Sequence, residues 1–169
     1  MDNVCHSLAG AALGKAGLAR RTTLGMSTLV IANNLPDVDV AVFATDTLAM
    51  SFRRGWTHGV LAQAALPIVL TGAMLAYDRC VVQKRANAPP PALARELLLL
   101  SYIGVLLHVF MDLMNSYGVR LLMPFSGHWF YGDALFIVDP WLSLALGMGW
   151  WMARRREAKG GPPPSWPAR

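Results

Sequence analysis

The stretch from Leu97 to Met114 restricts the fold of this chain more than any other feature. Leu97-Leu98-Leu99-Leu100 opens it, and apolar residues dominate up to Met111. A run of this length and composition fits a helix that crosses a bilayer, where every backbone polar group must be paired within the segment. Two residues break the pattern, His108 and Asp112. Their spacing of four puts both side chains on one helix face. Ionisable groups inside a span are costly and mark a pathway or a site.

Composition supports a membrane setting for the rest of the chain. Apolar residues make up 54% of the 169 residues and the mean hydropathy is +0.38. Charged residues are 15%, against about 25% in an ordinary soluble domain. The net charge of +5 does not suggest nucleic acid, because the cations flank apolar runs and form no stripe. Cys5 and Cys80 give no disulfide framework and are expected as free thiols. The Met-Asp-Asn start lacks the basic opening of a signal peptide.

Five apolar stretches can be drawn: Val4 to Leu18, Thr23 to Leu35, Gly59 to Tyr77, Leu97 to Met114, and Ala134 to Ala153. The last three are long enough for a full span of roughly 17 to 25 residues. The first two are short, and Gly10 and Gly14 in the first have the GxxxG spacing that suits close helix packing in lipid. The expected fold is all-α, a polytopic membrane helical bundle of three to five spans. Residues 1–153 form the membrane-embedded domain, and 154–169 form a basic, Pro/Gly-rich, disordered cytoplasmic tail.

If all five stretches cross, twelve Lys and Arg residues share one side and only Arg53, Arg54 and Arg120 lie on the other. Positive charge accumulates on the cytoplasmic side, so the C-terminus is expected inside. His6, Asp37, Asp39, His58, His108 and Asp112 then fall at one depth, near the outer leaflet.

The residue types at that depth suit a divalent cation. Imidazole and carboxylate are ordinary zinc ligands and also suit manganese. His108 and Asp112 can chelate one ion from a single helix face, or can form a packing hydrogen bond or a proton-transfer pair. In Asn33-Asn34-Leu35-Pro36-Asp37-Val38-Asp39, two carboxylates in a turn after a helix can face one ion, or act as a cap or Asx turn. In Arg53-Arg54-Gly55-Trp56-Thr57-His58, the arginines can bind phosphate or snorkel to headgroups. His128 and Asp133 lie in an aromatic, polar loop, and Asp139 at Pro140 is a candidate partner for a ligand histidine. No HExxH, paired CxxC or Gly-rich phosphate loop is present.

The ordered set Asp2 to Gly10, Asn34 to Asp39, Arg54 to His58 and His108 to Asp112 resembles the predicted membrane-bound, metal-dependent hydrolases of the bacterial inner membrane, a group with a LexA-regulated member. Asn115 to Gly118 and Trp129 to Asp133 extend the resemblance, which covers residues 2 to 153. Many members carry histidine where this chain has Arg53. More distantly the pattern is similar to zinc-dependent phospholipase C. That similarity implies a ligand set of His6, Asp39, His58, His108 and Asp112, with Asp37 able to replace Asp39.

The expected function is hydrolysis of a lipid ester or phosphoester by metal-activated water. Asp37 would orient the water, and Arg53 and Arg54 would neutralise substrate phosphate. One or two ions are expected, zinc first and manganese next. The partners are the bilayer and a lipid substrate, with no nucleic acid. A transporter or proton relay built on His108 and Asp112, or a metal that only stabilises the bundle, are the alternatives.

Overall fold

The computed structural model describes residues 1–44 and 54–160. Among the described residues there are five α-helices: α1 (Asn3–Lys15), α2 (Gly25–Ala32), α3 (Val60–Tyr77), α4 (Ala94–Leu113) and α5 (Pro140–Ala158). Short 3₁₀ segments lie at Leu18–Arg21 and Leu35–Ala44, and α3 runs on through a π turn at Asp78–Val82. Among the described residues there is no strand, only two isolated bridges within the connection from α4 to α5.

Among the described residues two segments are long and apolar enough to cross a membrane, Val60–Val82 and Ala94–Leu113, each with hydropathy 1.8. The stretch from Ala134 to Ala153 was expected to be a third, but its helix begins only at Pro140. The reason is local. The Asp139 carboxylate accepts from the Leu142 backbone N at 2.9 Å and caps the helix, with Pro140 in the first turn. The apolar part up to Ala153 is then about 21 Å long at ~1.5 Å per residue, short of a ~30 Å hydrocarbon core. At its other end α5 continues through Arg154-Arg155-Arg156 to Ala158, so a domain boundary at 153 would cut a helix. The α1 and α2 helices are about 20 and 12 Å long, also shorter than that core.

The α4 helix packs against both α2 and α3, and α1 packs against α2 and α5. The contacts between α1 and α2 and between α2 and α4 are very close because glycine stands at each. A Cβ on Gly10 would lie 2.8 Å from the Leu29 carbonyl oxygen, and one on Gly104 would lie 2.4 Å from the Ala32 Cβ. Gly14 likewise faces Met26 of α2, so the GxxxG pair does serve a helix contact. Around these crossings lies one buried cluster of Ala32, Leu70, Met74, Leu97 and Val105. A second, of Met1, Cys5, Ala9 and Met111, joins α1, α4 and α5.

The bundle has two unlike ends. One end holds Lys15, Arg20, Arg21, Arg79, Lys84, Arg85, Arg95 and Arg154 to Arg156. It is tied by ion pairs of Lys15 with Glu157 and of Arg21 with Glu96, and by Leu93 N donating to Thr22 Oγ1 at 2.9 Å. The other end gathers the starts of α1, α3 and α5 and the ends of α2 and α4. There Asp2 N donates to Ile137 O at 3.0 Å and Val60 N to Leu121 O at 2.9 Å. His6, Asp37, Asp39, His58, His108 and Asp112 all lie at this second end.

Candidate metal centre

The α4 helix, the 3₁₀ segment Leu35–Ala44 and the turn that leads into α3 bring two carboxylates and two imidazoles to one point. Asp37, His58, His108 and Asp112 each offer one ligand atom, these atoms lie within 4.8 Å of one another, and all four residues are buried. His58 Nε2 and His108 Nε2 are 3.1 Å apart. Asp112 Oδ2 lies 3.3 Å from the first and 3.5 Å from the second. Asp37 Oδ1 lies 3.9 Å from His58 Nε2 and 3.8 Å from His108 Nε2. Donors about 2.0–2.1 Å from one zinc at tetrahedral angles stand about 3.3–3.4 Å apart. The observed spacings straddle that figure, so the residues fit a single divalent ion.

The surroundings of each histidine fix which nitrogen faces inward. His108 Nδ1 is 2.8 Å from the Asn33 carbonyl oxygen, which can only accept, so Nδ1 carries the proton and Nε2 presents a lone pair. His58 Nδ1 is 2.9 Å from Thr57 Oγ1, and that hydroxyl donates to Asp39 Oδ2 at 3.0 Å. The hydroxyl proton is thus committed to Asp39, and His58 Nδ1–H donates to Thr57. Among the described residues two imidazole lone pairs and two carboxylates then face each other, with the cationic groups of Arg54 and Met1 reaching Asp112 alone. A divalent cation would complete this arrangement.

Of the two aspartates, the geometry brings into the cluster Asp37, which could replace Asp39 as a ligand. Asp37 faces the cluster, whereas Asp39 was expected as the ligand. Asp39 Oδ2 instead accepts from Arg54 N at 2.8 Å and from Thr57, and it lies 3.6 Å from His58 Nδ1, the nitrogen turned away from the centre. Asp39 therefore orients His58 through Thr57. A 3₁₀ helix advances about 120° per residue, so positions 37 and 39 point to different sides, and the two carboxylates do not share one ion.

His6 reaches the cluster from α1. Its ring stacks on His108 at 3.9 Å, and its Nε2 lies 3.4 Å from Asp112 Oδ1. Among the described residues neither ring nitrogen has a hydrogen-bond partner, although the residue is fully buried. Burial lowers the imidazole's pKa from its ordinary value, against the raising effect of Asp112. The Met1 amino group also meets Asp112 Oδ1. Asp112 thus turns one oxygen toward His58 and His108 and the other toward His6.

Arg54 stands at the rim, with Nη1 3.6 Å from Asp112 Oδ2 and the guanidinium 5.8 Å from the centre of the Tyr117 ring. Its backbone has φ +53, a left-handed conformation that a bulky residue rarely adopts. Asp39 holds its N–H, and its carbonyl accepts from Arg120 N at 2.8 Å. A strained position held from both sides is characteristic of a functional turn. Arg53 lies outside the described residues. His128 is exposed and packs edge-on against Phe130, Asp133 is exposed, and Asp139 is the α5 cap, so none of the three belongs to the cluster.

Sequence reasoning missed two contributors, Asn33 and Thr57. The Asn33 carbonyl is a backbone group, and its side chain separately donates to the His6 carbonyl oxygen. Thr57 stood beside His58, and a hydroxyl next to a candidate ligand is the one cue that points to it.

A helical bundle with two candidate spans and a buried His/Asp cluster at its cation-poor end defines a membrane protein with a possible metal-binding centre. The model of the YdjM inner membrane protein family matches residues 1–161, and the chain belongs to that family. It is also 24% identical over 156 residues to the uncharacterized protein YfhP of Bacillus subtilis (strain 168). That match covers 86% of this chain and 44% of the relative, so the chain spans less than half of the relative's length. No solved structure matches.

Proposed function

We propose that the chain is a multi-pass inner-membrane hydrolase. It uses a divalent metal held by Asp37, His58, His108 and Asp112 to cleave an ester or phosphoester bond of a lipid. The observation that carries this reading is the pair of inward Nε2 lone pairs 3.1 Å apart, each locked by its own Nδ1 partner, between two buried carboxylates. Mixed nitrogen and oxygen donors favour zinc, with manganese next. A second ion would take the place of the Met1 amino group on the second oxygen of Asp112, beside His6. A bound ion would lower the pKa of a coordinated water to about 7. Arg54 would fix substrate phosphate at the rim, a role shared with Arg53 in the sequence reading. The resemblance to metal-dependent hydrolases and to zinc-dependent phospholipase C supports the same chemistry by analogy. The cation-rich end belongs in the cytoplasm by the positive-inside rule, which directs the site outward.

Metal analysis of purified protein is the first test. Wild type should carry at least one zinc or manganese per chain, and folded His108→Ala and Asp112→Ala should carry much less. A screen of lipid extracts for metal-dependent cleavage then separates a catalyst from a structural site. A proton relay is the second reading, favoured by the same 3.1 Å contact, which one shared proton could bridge. That reading predicts no stoichiometric ion.

A further inference from the structure

The site end of the bundle is apolar on its outside as well as within. Phe125 is 77% exposed, Phe136 73%, Val138 66% and Trp141 81%, all in or next to the connection from α4 to α5. Trp56, Val38 and Val4 are exposed on neighbouring segments of the same end. A cluster of this kind on a protein surface marks contact with another protein or a membrane.

Three observations select a membrane. First, positive charge is sparse here, with Asp133 the exposed acidic residue of the connection. Among the described residues the Lys and Arg side chains of this end are Arg54 and Arg120, and both lie over aromatic rings, Tyr117 and Trp129. Second, the connection is stitched to the bundle by its own backbone. Val119 and Phe130 exchange hydrogen bonds at 2.8 and 2.9 Å, Gly132 N donates to Leu113 O at 2.7 Å, and Leu135 N to Met114 O at 3.0 Å. Internal pairing of backbone groups is what a low-dielectric setting demands. Third, the exposed apolar surface continues along the candidate spans through Val60, Leu61, Ile68 and Val69 of α3 and Leu106 and Phe110 of α4. Exposed Trp141, Tyr131, Tyr117 and Trp56 have the amphipathic rings found at the headgroup level of bilayers.

We propose that the connection between α4 and α5, residues 114–139, is seated in the headgroup and upper acyl region of the leaflet. It would hold the mouth of the His/Asp cluster at the lipid surface and not in open water. This surface is independent of what reaction the site performs.

The test is spin-label accessibility in vesicles of phosphatidylethanolamine and phosphatidylglycerol. Cys5 is buried, so Cys80→Ser provides the background. Labels go on Phe125→Cys and Phe136→Cys, with Val138→Cys and Trp141→Cys as a second pair should the first misfold. Asn87→Cys, exposed in the loop at the far end, is the water reference. The expected result is collision with oxygen several-fold above collision with a water-soluble nickel chelate at the test positions, and the reverse at 87. Nickel accessibility equal to that at 87 overturns the proposal in favour of an aqueous loop. Shielding from both reagents overturns it in favour of coverage by a second copy of the chain.

Discussion

Thr57→Val isolates the orientation of a ligand from the ligand itself. Valine has nearly the shape of threonine, so packing at this half-buried position is kept and the hydroxyl alone is lost. That hydroxyl accepts from His58 Nδ1 at 2.9 Å and donates to Asp39 Oδ2 at 3.0 Å. Without it, the acceptor left near His58 Nδ1 is Asp39 Oδ2, 3.6 Å away and outside hydrogen-bond range. One net hydrogen bond amounts to about 0.5–1.5 kcal/mol, or roughly 2- to 13-fold in an equilibrium constant. Removing the partner of a ligand histidine lowers metal affinity by about 10- to 100-fold. The two ranges meet near tenfold, and a small shift of Asp39 toward the ring would keep the loss at that lower end. Competition with a zinc chelator in detergent should therefore give a roughly tenfold weaker Kd, with stoichiometry unchanged at saturating metal. Affinity within twofold of wild type would refute the argument that Thr57 holds His58 in its ligand tautomer.

Arg54→Lys should lower turnover of a phosphate-bearing lipid by about 10- to 150-fold, the loss of one charge-assisted contact of roughly 1.5–3 kcal/mol. Bound metal should stay unchanged, whereas near-normal activity would assign Arg54 to headgroup snorkelling. Gly104→Ala should destabilise the bundle by about 1–3 kcal/mol through overpacking, because its Cβ would lie 2.4 Å from that of Ala32. Gly72→Ala, with nothing within 4 Å of its Cβ, should be neutral or slightly stabilising in the same denaturant titration. A C-terminal tag and a cysteine at position 87 should react with impermeant reagents only after cells are permeabilised, and labelling in intact cells would reverse the proposed orientation.

Much of this architecture follows from one-dimensional pattern. Apolar runs bounded by Pro, Gly and charge located α3 and α4 to within a few residues. Helical periodicity alone placed His108 and Asp112 on one face, and the flanking cations separated the two ends of the bundle. The gathering of His6, Asp37, His58, His108 and Asp112 at one end follows from the alternation of helix directions. Tertiary structure decided the rest. The capping of α5 by Asp139 and its basic last turns shorten a stretch that composition had suggested as a span. The 3₁₀ geometry of Leu35–Ala44 turned Asp37 inward and left Asp39 to hold Thr57 and the Arg54 backbone. The partner of His108 is a backbone carbonyl at the end of α2, brought within 2.8 Å by the close crossing at Gly104. A sequence gives the order and type of donor groups along the chain. Which oxygen or nitrogen faces a common point depends on rotations of about 100° to 120° per residue and on helix crossings that only the packed bundle sets.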